Sequence, residues 1–293
     1  MPSRTRLVSA LVIGAVGLTT LLSGCSPAAS DNNANPVMLR LGVPPGEADP
    51  EFLDKMQPMA DLVEEATGLP VEVTQTSDYL AIVEAMRSKL LDVAIFSPMP
   101  AVIAEDVANV KPLVAALGAP YTTLIICNPE AGVTDLANIQ DLSMAFVDAG
   151  STSGNYIPRL MMQRAGVDLD ALDSTFAGGH DVAALSVKQG STDCAAVASL
   201  VLPTMVEAGA ISEDDFEIVA ESEPLPISTV IIARDGLSAE ISAAITDAFV
   251  GNTDADILAV TSAKEYVAAE DADWSMFNDA AAELGIDIDD VKG

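Results

Sequence analysis

The run Phe146-Val147-Asp148-Ala149-Gly150-Ser151-Thr152-Ser153-Gly154 places three adjacent hydroxyls where an apolar stretch gives way to a turn. Pro158 fits best in the first turn of a helix, so a helix is predicted to begin between Ser153 and Ile157. Free backbone N–H groups at such a start, together with the helix macrodipole, favour an anion. Ser151, Thr152 and Ser153 add neutral O–H donors, enough to wrap a tetrahedral oxyanion without a lysine. An ordinary Ser/Thr helix cap is the plainer alternative. A second run, Phe176-Ala177-Gly178-Gly179-His180-Asp181, holds the single histidine of the chain after a Gly-Gly turn. His180 either faces the same sheet edge as the hydroxyl turn or simply caps a surface helix. A protonated oxyanion also needs an acceptor, for which Asp148 and Asp181 are the candidates.

These residues need strands and helices to position them. Short apolar runs alternate with amphipathic ones: strands at Leu39–Val43, Val71–Thr74, Val93–Phe96 and Pro112–Leu117, with helices between them. Phe52, Met56, Met59, Val63 and Ala66 share one helix face, and Gly68 stops that helix. This order predicts a parallel sheet covered on both faces. The pattern then restarts at Thr122–Cys127, Met144–Val147, Ser174–Ala177, Cys194–Val197 and Phe216–Ala220, with 131–141 read as loop. Ser228–Ala233 leads back toward the first unit, and the remainder is read as helical. The fold class is α/β, with two Rossmann-like lobes: 37–120 plus 232–293, and 121–231. Crossings are expected near Pro120-Tyr121-Thr122 and Ile227-Ser228-Thr229. Ligands in open α/β sheets bind at the carboxyl ends of strands, which is where both runs fall.

The N-terminus carries Arg4 and Arg6, then an apolar stretch from Leu7 to Leu22, then Ser23-Gly24-Cys25. That is the layout of a secretory signal over 1–24, with Cys25 as the lipid-bearing first residue of the exported chain. Residues 25–36 lack apolar periodicity and read as a flexible tether reaching roughly 20 Å. The net charge is −31, which repels nucleic acid and anionic lipid surfaces; any anion must be held by local donors. Cys127 and Cys194 lie in apolar β-like runs. Export permits a disulfide between them, but two buried thiols acting as small hydrophobes are the preferred expectation.

With Ser77-Asp78-Tyr79, Asp92-Val93-Ala94, Phe96-Ser97-Pro98, the Ser-Thr-Ser-Gly turn and Ala-Gly-Gly-His in this order, the chain resembles the phosphonate- and phosphite-binding proteins of ABC importers. The resemblance covers about Leu39 to Leu237. It implies the type II periplasmic binding fold with hinge closure. It further implies a phosphorus oxyanion held by Ser151, Thr152, Ser153, His180 and Tyr79, with Thr229 a weaker candidate. The partners it implies are a permease and its ATPase subunit, with the protein a monomer anchored through Cys25 at the outer face of the cell membrane; no cofactor or metal is expected.

Two departures shape the ligand expectation. A second cleft tyrosine usual after Phe-x-Pro is replaced by Met99-Pro100-Ala101. Carboxylates that hold the ammonium of aminophosphonates are replaced by Ala198, Ser199 and Leu200, and by Ser228 and Thr229. A buried ammonium without such a partner is costly. Phosphate or phosphite is therefore expected ahead of 2-aminoethylphosphonate, with a sulfonate or other organic anion as the alternative. Gly150-Ser151-Thr152-Ser153-Gly154 also approaches the Gly-x-Ser-x-Gly nucleophile elbow. A secreted Ser/Thr hydrolase is thus the alternative of another class, although Thr152 holds the nucleophile position.

Overall fold

The computed structural model describes residues 34–45 and 51–286; the expected signal segment and Cys25 lie outside them. The strands are β1 (Leu39–Val43), β2 (Val71–Gln75), β3 (Val93–Phe96), β4 (Lys111–Leu117), β5 (Thr123–Cys127), β6 (Met144–Phe146), β7 (Ser174–Phe176), β8 (Cys194–Ala198), β9 (Glu217–Glu221), β10 (Ile227–Ala233) and β11 (Glu265–Ala268). The α-helices are α1 (Phe52–Thr67), α2 (Tyr79–Arg87), α3 (Pro98–Ala108), α4 (Ile157–Arg164), α5 (His180–Lys188), α6 (Val201–Glu207), α7 (Ala239–Phe249), α8 (Ala255–Val260) and α9 (Ser275–Glu283). Among the described residues, no helix is long and apolar enough to cross a membrane.

Two sheets form, ordered β11-β4-β10-β3-β1-β2 and β7-β6-β8-β5-β9. The chain leaves the first sheet between Leu117 and Thr123 and returns between Glu221 and Ile227. The fold is that of the type II periplasmic binding proteins. Neither sheet is wholly parallel, which corrects the expectation from the alternating pattern. β10 runs antiparallel to both β3 and β4 because it enters the first sheet from the opposite end, after the excursion through the second. In the second sheet β5 is antiparallel to β8 and β9. The C-terminal region is not all helical: β11 adds an antiparallel edge to β4. The segment 131–141, read as loop, contains one short 3₁₀ turn at Leu136–Asn138, and another, Pro129–Ala131, ends at its first residue.

α1 follows its pattern. Met56, Met59, Ala60 and Val63 are buried, and Gly68 closes the helix in the left-handed region at φ 66°, its N–H donating to the Glu64 carbonyl. One apolar cluster joins the two lobes, drawing Phe96, Met99, Val230 and Phe277 from the first and Ile157, Leu160 and Ala198 from the second, with Tyr121 between them. The lobes are therefore closed on each other. α9 adds an exposed link, since Arg164 Nη2 lies 2.6 Å from Glu283 Oε1.

Two features are structural. Asp92 is fully buried between two arginines: Arg40 Nε donates to one carboxylate oxygen at 2.8 Å and Arg234 Nε to the other at 2.7 Å. These bonds tie β1, β3 and β10 together. They outweigh burial and hold the Asp92 carboxyl below the usual range. Cys127 and Cys194 face each other across the β5–β8 register and form a disulfide, which corrects the expectation of two free thiols. Antiparallel pairing is what brings them together, and a parallel reading of the second unit conceals it.

Candidate functional site

The hydroxyl turn lies at the carboxyl end of β6, a central strand flanked by β7 and β8. Thr152–Tyr156 forms one π-helical turn that runs directly into α4, with Ser151 as its N-cap. The π turn thus begins at Thr152, and the α-helix proper at Ile157, at the end of the expected window. Ser151 Oγ accepts the Gly154 N–H at 3.1 Å, yet its own proton stays available. Gly154 admits no side chain, since a Cβ there would lie 2.4 Å from a Val147 methyl. Ser151, Thr152 and Ser153 are 2%, 0% and 1% exposed, so water is excluded from the turn.

Groups from both lobes meet here. Thr152 Oγ1 accepts the backbone N–H of Met99, in the first turn of α3, at 3.0 Å. Asp148 lies on the same loop; its Oδ1 accepts the Gly150 N–H at 2.7 Å, and the carboxylate also accepts the backbone N–H of Tyr79, at the start of α2. Burial, with Asp78 nearby, raises the Asp148 carboxyl above its usual range. The Asp148 carboxylate therefore fixes the loop against α2. Tyr79 packs on the turn so closely that a Cβ at Gly150 would stand 2.6 Å from its own.

His180 opens α5 and is buried. Its Nδ1 accepts the Ala198 backbone N–H at 3.0 Å. That bond leaves the ring proton on Nε2, and burial lowers the imidazole pKa to about 4. The ring is a neutral N–H donor. In a Ser-His-Asp triad Nδ1 instead donates to a carboxylate, so the hydrolase alternative lacks its orienting bond. Thr229 lies on β10; continuing the β10–β3 register places it opposite Ser97, beside the start of α3.

Two residues escaped assignment from sequence. Ser97 caps α3 by position but makes no capping bond. Tyr121, in the first crossing, is 7% exposed, and its phenol oxygen lies against the hydroxyl and backbone N–H of Ser153. An isolated aromatic after Ala119-Pro120 was the only signal available for Tyr121. Among the described residues, three buried side-chain atoms lack a hydrogen-bond partner: Ser97 Oγ, Thr123 Oγ1 and Asp181 Oδ1. Ser97 follows β3, Thr123 pairs with Ala198, and Asp181 adjoins His180. An open cavity of about 450 Å³, lined by Glu105, Lys111, Thr246 and Trp274 among others, includes none of these residues.

Two α/β lobes shut on a buried turn of neutral donors make a solute-binding protein of the periplasmic type. The chain belongs to the family described as "ABC transporter, phosphonate, periplasmic substrate-binding protein", whose model matches residues 41–274. It is 30% identical over 251 residues to the phosphate-import protein PhnD of Mycolicibacterium smegmatis, covering 79% of this chain and 78% of that one. It is 25% identical over 242 residues to the phosphonates-binding periplasmic protein of Escherichia coli, covering 80% and 70%. The structure of PhnD1 from Prochlorococcus marinus in complex with methylphosphonate superposes with a TM-score of 0.73 at 19% identity, covering 86% of this chain and 99% of that one. The protein is thus the extracytoplasmic binding component of an ABC importer, serving a permease and its ATPase.

Proposed function

We propose that this protein captures a small phosphorus oxyanion, inorganic phosphate or phosphite before an aminophosphonate, between its lobes. Ser151, Thr152, Ser153, His180 and Tyr79 supply the donors. The observation that carries the reading is the placement of unmet hydrogen-bonding capacity. Buried polar groups are nearly always paired; of the three described exceptions, Ser97 opens the helix whose Met99 N–H bonds to this turn, and Asp181 follows His180. Asp181 Oδ1 is a buried acceptor without a partner, which matches the P–OH donor of hydrogen phosphate. The serine hydroxyls at the positions that would hold an ammonium bond elsewhere. Ser199 Oγ accepts the Thr122 N–H and donates to the Pro120 carbonyl, and Ser228 Oγ lies 3.4 Å from each of the Ala116 and Thr261 carbonyls, to either of which it can donate.

The lobes, one built on each sheet, close about the two crossings at 118–122 and 222–226. The protein works as a monomer, held at the extracytoplasmic face of the cell membrane through a lipid on Cys25. Calorimetry on the folded domain with phosphate, phosphite, methylphosphonate, 2-aminoethylphosphonate and sulfate tests the ligand assignment. Binding of phosphate or phosphite with weak uptake of the aminophosphonate is expected. Tight binding of the aminophosphonate with phosphate silent overturns it.

A further inference from the structure

The donors read from the sequence come from the second lobe and from Tyr79. A closed tetrahedral anion also needs donors from the wall that faces the turn. Two groups on that wall have hydrogen-bonding capacity left over. A serine at the N-cap ordinarily accepts an N–H from the first turn of its own helix. Ser97 does not: the Met99 N–H goes across the cleft to Thr152 Oγ1 instead. The exchange leaves the Ser97 hydroxyl buried and unpartnered at the start of an eleven-residue helix (11 residues), beside Thr152. Tyr121 is the second group. Its phenol oxygen lies against the hydroxyl and backbone N–H of Ser153, and its own proton can be donated.

We propose that Ser97 and Tyr121 are ligand-binding residues that complete the anion's cradle, Ser97 from the first lobe and Tyr121 from the crossing between the lobes. The inference rests on the anion-binding reading above and adds to it a route from ligand to hinge. With the Met99 N–H bonded to Thr152, the Ser97 hydroxyl has no protein partner and both its proton and its lone pairs are left for the ligand. Tyr121 sits on the segment that must bend, so a bond from its phenol to the anion holds the crossing in the closed geometry. Burial keeps that phenol protonated, its pKa pushed up to about 12, and therefore a donor at every physiological pH.

The test is calorimetry of Tyr121→Phe, Ser97→Ala and Ser97→Thr with phosphate and methylphosphonate, with small-angle scattering to follow closure and thermal melting to check the fold. A neutral donor to a charged group is worth a factor of roughly 10 to 150 in Kd. Tyr121→Phe and Ser97→Ala are each expected to weaken binding by that factor, with Tm little changed, and Ser97→Thr to restore it. Tyr121→Phe is also expected to reduce ligand-induced compaction at equal ligand concentration. Kd within twofold of the parent for both Tyr121→Phe and Ser97→Ala, or tighter binding by Tyr121→Phe, overturns the inference while leaving the anion-binding reading intact. A parent protein silent toward both ligands overturns both.

Discussion

His180 offers the sharpest test of the site's electrostatics. Its imidazole is buried, and its Nδ1 is committed to the Ala198 N–H. Protonating the folded state would place a charge out of reach of water and point Nδ1–H at another donor. The folded pKa is accordingly depressed from 6.5 to about 4. The unfolded chain therefore takes up the proton first. The folded state keeps full stability above pH 6.5 and loses it as pH falls toward 4. A tenfold change in proton affinity is about 1.4 kcal/mol. Between pH 7 and pH 4 the histidine should thus destabilise the ligand-free protein by about 3 kcal/mol. Many carboxylates titrate in the same interval, so the measurement must be differential. Urea unfolding of the parent and of His180→Gln at several pH values isolates the histidine, because carboxylate effects cancel in the difference. The stability of the parent relative to the variant should fall by about 3 kcal/mol from pH 7 to pH 4. A difference that stays flat, or grows toward acid, would show that His180 is solvated or charged and refute the neutral-donor assignment.

Three further substitutions separate the roles assigned above. Thr152→Ala removes a hydroxyl that accepts the Met99 N–H and faces the proposed anion; Kd for the cognate anion should rise roughly 10- to 150-fold, measured by calorimetry. Gly150→Ala places a Cβ 2.6 Å from that of Tyr79, a contact made between the lobes. Overpacking of about 1–3 kcal/mol should fall on the closed form alone, weakening binding and closure while sparing the ligand-free melting temperature. Asp92→Ala leaves Arg40 and Arg234 facing a void and should cost about 3–5 kcal/mol of stability in denaturant unfolding, although Asp92 lies in a run that the family resemblance singled out.

The turn and its histidine were legible because local chemistry declares them. A strand, three hydroxyls and Pro158 announce a helix start wherever the rest of the chain goes. What the sequence withheld depends on long-range closure. Ser97 appears as an ordinary N-cap until Thr152 arrives from the other lobe and takes the Met99 N–H. Tyr121 appears as a connector until the crossing folds its ring into the inter-lobe cluster. Pairing direction is likewise a property of the double crossing, so neither the antiparallel β10 nor the Cys127–Cys194 bridge follows from a local period. Asp92 shows the reverse case: it looks functional in the sequence, and the structure gives it two arginine partners and a place in the core.

The charge of −31 and a ligand that is itself an anion set up a conflict that the fold resolves by range. Mobile ions screen exposed charge over about 8 Å at physiological ionic strength. The surface carboxylates therefore act on the approaching ligand but little on the enclosed one. Inside, Ser151, Thr152, Ser153 and His180 are neutral donors in a water-excluded place, where a hydrogen bond to a charged acceptor is stronger than in water. On the proposed site, the protein repels its ligand at a distance and holds it at contact. A kinetic sign follows. Salt should speed association by screening the repulsion, roughly severalfold between low and physiological ionic strength, while dissociation changes little. A site built from lysines would show the opposite trend. Stopped-flow fluorescence of Trp274, the single tryptophan, packed beside the inter-lobe cluster, can follow the step in buffers of increasing sodium chloride. An association rate that falls with salt would mean that a cationic group guides the anion in, and the neutral-donor account of the site would have to be abandoned.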